Sequence, residues 1–317
     1  MLWIQLPKLI NRKPGQNLKY LKSSERQFRM TSIRRFNTIF AFLCLLSNLN
    51  VNGSEPLQVM SFNIRFDNPR DGLDNWKFRA TKVSAMFAKH DIGIAGLQEV
   101  KHHQLTWLKQ ALPDYGFVGV GRDDGKKKGE YAPLAYRKSD FELQESETIW
   151  LSETPAEVGS KGWDAALPRI ATFAVLRHSE SGAKLLAGSV HYDHVGVKAR
   201  KNSGAVLAKY ISNRLSDMTL SAVIVAGDFN CLPDSEPFKA VEAAGVMVDS
   251  FRLTDRRVGP QSTWNGFRAV QPGRRIDYVF VNKGVTVLGH LIDDQQVQGR
   301  FPSDHLPVVV KLKLKDR

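Results

Sequence analysis

The sequence predicts an α/β fold: a four-layered α/β sandwich in which two mainly antiparallel β-sheets pack face to face and helices cover the outer faces. Three observations carry this. From residue 57 onward, apolar runs of strand type outnumber runs of helix type. The helical runs fall between strands instead of in one block, as expected of a layered domain. Five of the apolar runs also carry polar residues of catalytic type, mostly at one end, and if those ends converge they build one site.

"LQVMSFNIRF", residues 57–66, alternates as a strand does and leads to a polar end at Asn63 and Arg65. "NWKFRATKVSAMFAKH", 75–90, spaces Phe78, Val83, Met86 and Phe87 near the helical period. "DIGIAGLQEV", 91–100, is a short apolar run with glycines, a buried strand ending at Gln98 and Glu99. "KHHQLTWLKQAL", 101–112, returns to a helix, with His102 and His103 as its solvated start. Strands then dominate: "PLAYRK", "FELQESETIWL", "IATFAVLRH" and "KLLAGSVHYDH", the last carrying His191, Asp193 and His194. A long helix over roughly 198–216 precedes "SAVIVAGDFN", 221–230, an apolar strand closing on Asp228 and Asn230. "RRIDYVFVN", "VTVLGHLI" and "LPVVVKLKL" complete the set. Asp277 interrupts the first of these, and Asp304 and His305 enter the last.

The 317 residues, 42% hydrophobic and 24% charged, show no repeat, no low-complexity tract and no linker long enough to divide the chain. One domain over 54–317 is the expectation. The net charge of +13 is uneven: residues 1–53 hold nine Lys or Arg against Glu25 alone and so carry +8 of it. The working domain keeps 36 basic and 31 acidic residues, a balance that tolerates a polyanionic partner without demanding one.

The N-terminal segment reads as removable. From Met30, Arg34 and Arg35 precede the apolar stretch Ile39 to Leu46, and Val51 and Gly53 stand at plausible −3 and −1 positions for cleavage. That is the anatomy of a signal peptide over 30–53, and the apolar stretch is shorter than the about twenty residues a bilayer needs. Residues 1–29 are an unassigned leader. A secreted or periplasmic product follows, with no stable membrane insertion once the signal is gone, and a monomer is expected. Cleavage would remove Cys44 and leave Cys231 as a small buried residue with no disulfide partner.

One carboxylate at a strand end is a turn residue. Glu99, Asp228, Asp277 and Asp304 together are more than that, because their mutual repulsion needs an offset that a hard divalent cation supplies. Oxygen donors with little sulfur favour Mg²⁺ or Mn²⁺ over zinc.

The motifs "SFNIR", "GLQEV", "VHYDH", "GDFN", "RIDYVF" and "SDHLPV", in that order over about residues 57–315, resemble the endonuclease/exonuclease/phosphatase superfamily. The look is closest to its secreted bacterial and fungal members of unassigned substrate. The resemblance implies a Mg²⁺- or Mn²⁺-dependent hydrolase of phosphate esters. Glu99 would ligate the metal, with Asn63 beside it and Asp304 direct or through water. Asp228 and Asn230 would orient the attacking water and the scissile phosphate. His305, paired with Asp277, would be one acid/base group and His191 a second histidine facing the phosphate. Glu130 would be the carboxylate that holds His191, and Arg169 and His194 would bind substrate.

Three alternatives stay open at this stage. A nuclease should carry a basic track, for which Lys126 to Lys128 and Lys198, Arg200 and Lys201 are candidates, though solvated loops or a helix face explain them too. A lipid or sugar-phosphate hydrolase is the second. No obvious exposed apolar hairpin for a bilayer is seen, and Trp163 and Trp264 could line a pocket while Trp150 reads as core. The third is a catalytically silent module that binds polyanions, against which every expected catalytic residue type is present.

Overall fold

A computed structural model of the chain describes residues 55–243 and 245–315. The leader (1–29), the signal segment (30–53) and Cys44 lie outside these residues. The described residues belong to one compact unit. Among them, no helix is long and apolar enough to cross a membrane.

Among the described residues, strands and α-helices follow one another as β1 (Leu57–Asn63), α1 (Trp76–Lys89), β2 (Ile94–Gln98), α2 (His102–Ala111), β3 (Tyr115–Val118), β4 (Leu134–Arg137), β5 (Phe141–Trp150), β6 (Ile170–His178), β7 (Lys184–His191), α3 (Val197–Asp217), β8 (Ala222–Asp228), α4 (Glu236–Glu242), β9 (Val248–Asp249), β10 (Arg257–Val258), β11 (Asp277–Val281), β12 (Val285–Ile292) and β13 (Val308–Leu314). They form a seven-stranded sheet, β10-β12-β13-β1-β2-β4-β3, and a six-stranded sheet, β5-β6-β7-β8-β11-β9. Most pairings are antiparallel. The parallel ones are β1–β2 and β10–β12 in the first sheet and β7–β8 in the second.

Side-chain alternation along the strands explains the layering. In β1, Val59 points into the core shared by the two sheets, while Met60 and Phe62 pack outward with Val83, Phe87, Leu105 and Leu108 of α1 and α2. In β8, Ile224 and Ala226 join the shared core, while Val223 and Val225 face Leu207, Ile211 and Phe238 of α3 and α4. Four layers result because each sheet is apolar on both faces.

Below the strand ends the sheets approach closely. A Cβ on Gly96 would lie 2.9 Å from Ala226 Cβ and 3.1 Å from Ser189 Oγ. Gln98 Nε2 donates to Ser189 Oγ at 3.2 Å, and Ser189 Oγ donates to the Leu97 carbonyl at 3.0 Å, so hydrogen bonds tie one sheet to the other there.

Several local expectations are corrected. Asp277 opens β11 instead of interrupting it, because Arg274 to Ile276 run up to the strand as loop. Asp304 and His305 precede β13 in a loop, where His305 forms an isolated bridge with Trp264. Two other expectations hold: Cys231 is free and buried, and Trp150 is core, its indole N–H donating to the Arg122 carbonyl at 2.7 Å.

Candidate active site

The alternation that builds the core also aims the site. Counting up from the inward residues Val59, Ala187, Ala226 and Val279, the same parity reaches Asn63 and Asp228 at the ends of β1 and β8, His191 at the end of β7, and Asp277 at the start of the antiparallel β11. Strand register then sets them side by side: Asp228 is paired with His191 across β7–β8 and with Asp277 across β8–β11. All four are buried.

Asp228 Oδ2 is the centre. It accepts from Asn63 Nδ2 at 3.0 Å, and it lies 3.6 Å from His191 Nε2 and 3.8 Å from His305 Nε2. Its second oxygen accepts the Asn230 N–H at 2.9 Å, and Asn230, at φ 46, donates Nδ2 to the Tyr192 carbonyl at 3.1 Å. Burial, then the neighbouring Asp277 charge, pushes the Asp228 pKa up to about 7.

The two histidines sit in opposite environments. Burial disfavours charge on His305, but Asp277 and Asp228 outweigh it and hold the imidazolium well above its ordinary pKa. His305 Nδ1 is 2.9 Å from Asp277 Oδ2, so the expected Asp–His pair is formed. Burial works on His191 in the same sense, and here the positive charges of Arg169, Arg122 and His305 add to it. His191 is therefore held neutral, well below its ordinary pKa. A pair of titratable groups pushed apart in this way can divide acid and base work.

Glu99 leaves β2 at φ 61 and accepts from Asn63 Nδ2 at 3.1 Å and from the Phe66 N–H at 3.1 Å. Burial opposes its charge, yet His305 and these two hydrogen bonds prevail and keep its pKa below the usual value. Asp304 is pushed the other way, by burial above all and then by Glu99. One cationic atom, Arg65 Nη1, lies 4.0 Å from Glu99 Oε2 and 3.6 Å from Asp304 Oδ2. Two carboxylates that share a positive atom fit a hard divalent ion. Asn63 lies beside Glu99: its amide donates to Glu99 and Asp228, and its oxygen accepts the Arg65 N–H at 3.0 Å. It positions carboxylates.

Asp228, Asp277 and His305 also converge, with ligand atoms all within 4.8 Å of one another. Both ring nitrogens of His305 face carboxylates, so the imidazolium is itself the cation of that group.

On the far side, Arg169 Nη1 is 3.2 Å from His191 Nδ1 and Nη2 is 2.7 Å from His194 Nδ1. Its Nε donates to Asp193 Oδ2 at 3.1 Å. Asp193 and Arg169 were both visible in the sequence but not as partners, because 24 residues separate them. Glu130 does not hold His191. Its Oε2 accepts from Arg122 Nη1 at 2.7 Å and its Oε1 faces Lys101 Nζ at 3.8 Å, so cations claim both oxygens. Arg122, buried in "GRDDGKKKGE", was missed because charged loops usually point to water. Lys126 to Lys128 in that loop do point to water, and Asp124 Oδ1 accepts the N–H groups of Lys126 and Lys128. His102 and His103 are exposed at the start of α2, as expected.

The chain belongs to the Endonuclease/Exonuclease/phosphatase family, whose model matches residues 60–305. An endonuclease/exonuclease/phosphatase from Bacteroides vulgatus is 36% identical, with a TM-score of 0.78 over 82% of this chain and 100% of that one. A mannosyl-6-phosphatase from Bacteroides thetaiotaomicron is 37% identical, with a TM-score of 0.76 over 81% of this chain and 99% of that one. The human Nocturnin catalytic domain with bound sulfate shares the fold at 20% identity, with a TM-score of 0.65 over 82% of this chain and 94% of that one. A search of curated proteins found no match.

Proposed function

We propose that this chain is a secreted, divalent-metal-dependent phosphoester hydrolase. The observation that carries the proposal is the placing of Asp228 Oδ2 between a neutral His191 and a charged His305, 3.6 and 3.8 Å away. Water attacks phosphorus, a P–O bond forms, and the bond to the leaving group breaks. Asp228 takes the proton from the water. His305, its ring oriented and its charge held by Asp277, offers its Nε2 proton to the departing ester oxygen. Arg169 and His191 face the phosphate and hold it in line, with His194 at the open edge. Asn230 and Asn63 orient Asp228. Glu130 acts at one remove, by holding Arg122 and Lys101. Glu99 and Asp304 would hold Mg²⁺ or Mn²⁺, which when bound neutralises charge on the phosphoryl oxygens. Export rests on the signal-like 30–53 segment.

Within this class we favour a phosphomonoester on a sugar or similar small molecule. The 37% identical relative is a mannosyl-6-phosphatase. The lysine-rich loop is solvated and offers no stacked aromatic track of the kind that single-stranded nucleic acid needs. The test is phosphate release from sugar phosphates, nucleotides, DNA and RNA with Mg²⁺ and Mn²⁺. Turnover of sugar phosphates well above that of DNA or RNA is expected. Preference for a nucleic acid would overturn the substrate class, and no hydrolysis of any ester would overturn the enzyme.

A further inference from the structure

Arg65 has been met only as the cation between two carboxylates. Its setting shows that it is placed there by construction. The residue leaves β1 at φ 59, a conformation that is costly for a side chain other than glycine. Asn63 Oδ1 accepts its N–H at 3.0 Å and closes the turn. Arg79 Nη2 donates to the Arg65 carbonyl at 3.2 Å, and Arg79 Nη1 donates to the carbonyls of Ile64 and Pro302, fastening this turn to the loop that carries Asp304. Asp71 then grips the guanidinium as a fork, with Nε at 3.0 Å and Nη2 at 3.2 Å. That leaves one nitrogen, Nη1, aimed at Asp304 Oδ2 and Glu99 Oε2 at 3.6 and 4.0 Å. Both separations are too long for hydrogen bonds, so the attraction is one of charge, and a different cation can replace it.

We propose that Arg65 is an internal counter-cation for the Glu99–Asp304 pair. It holds the two carboxylates together before a metal arrives, and it weakens metal binding by supplying positive charge to the same oxygens. The inference rests on the reading that Glu99 and Asp304 hold the divalent ion. It concerns the affinity of the site and not the chemical step.

The experiment measures Mn²⁺ affinity by competition with a fluorescent chelator, starting from metal-loaded protein so that every variant is compared in its folded state. Wild type, Arg65→Gln, Arg65→Lys and Glu99→Gln are compared. A unit charge about 4 Å away, discounted for partial exposure, is worth on the order of tenfold or more in affinity. Arg65→Gln should therefore bind Mn²⁺ at least about tenfold tighter than wild type, while Arg65→Lys, which keeps the charge, stays near wild type. Stripped of metal, Arg65→Gln should melt below wild type, and Mn²⁺ should remove the difference. If wild type binds Mn²⁺ but Arg65→Gln binds no tighter, or Arg65→Lys binds as tightly as Arg65→Gln, the counter-cation role is wrong and the metal reading stands. If wild type binds no Mn²⁺, or Glu99→Gln binds as well as wild type, both fall.

Discussion

His305 Nδ1 lies 2.9 Å from Asp277 Oδ2 across 28 residues of sequence, with both side chains buried. The bond directs the other imidazole nitrogen toward Asp228 and helps to hold the ring charged, so that without it the ring would lose both its orientation and its acid proton. His305→Ala should cost about 10²–10⁴-fold in turnover, and Asp277→Asn should cost a substantial part of that. Since the two residues act as a unit, the losses should not multiply. Turnover of the double mutant checks this, and a loss equal to the product of the single losses would separate the pair.

Asp193 supports Arg169 through a buried ion pair at 3.1 Å and also accepts the N–H groups of Val195 and Gly196. Removing one partner of such a pair leaves a charge buried without compensation. Asp193→Ala should therefore destabilise the fold by about 3–5 kcal/mol, measured by urea unfolding. Because Arg169 would lose its orientation, KM should rise in the surviving folded protein. Unchanged stability and KM would show that Asp193 does not hold the arginine.

The close approach of the sheets predicts a cost at Gly96. An added methyl would meet Ala226 Cβ at 2.9 Å, with the backbone oxygen of the same residue at 3.2 Å. Overpacking of this kind costs about 1–3 kcal/mol, so Gly96→Ala should lower the melting temperature. An unchanged melting temperature would mean that the sheets can part there freely.

His290 gives the fold an acid limit away from the site. Burial first, then Arg275 and Arg257, drives its pKa down to about 3, against about 6.5 for a free imidazole. Between these values the unfolded chain takes up a proton that the native protein refuses, so stability falls as pH falls from about 6.5 toward 3. His290→Phe should make that decline shallower by about one proton, in urea titrations at stepped pH. His191 contributes in the same sense and should keep part of the slope. Identical slopes for wild type and variant would place the titration elsewhere.

The long elements were legible because burial imposes a period on them. β1, β8 and β13 alternate or run apolar over seven residues each, and α1 and α3 begin and end within a residue of the expected limits. β3, with the half-buried sequence Tyr-Gly-Phe-Val, carries too weak a pattern to separate from loop. β9 and β10 are two residues each and exist only through their partners. The site divides in the same way. Asn63, Glu99, Asp228 and His305 were visible as polar residues next to apolar strands. The charge position of Arg65 was not, because its meaning comes from Glu99 and Asp304, both distant in sequence. Arg122 was hidden for another reason: it lies on a charged loop yet turns inward, where it claims Glu130.

In the proposed function, hydrolysis of phosphate esters depends on a divalent ion held by Glu99 and Asp304. The most direct measurement is phosphate release by wild type and Glu99→Gln after exhaustive chelation, followed by graded return of Mg²⁺ or Mn²⁺. Wild type should fall to background and recover fully, while Glu99→Gln, which keeps the shape of the side chain but loses its charge, should recover little. Undiminished hydrolysis by chelated wild-type protein would show that the reaction needs no divalent ion at Glu99 and Asp304.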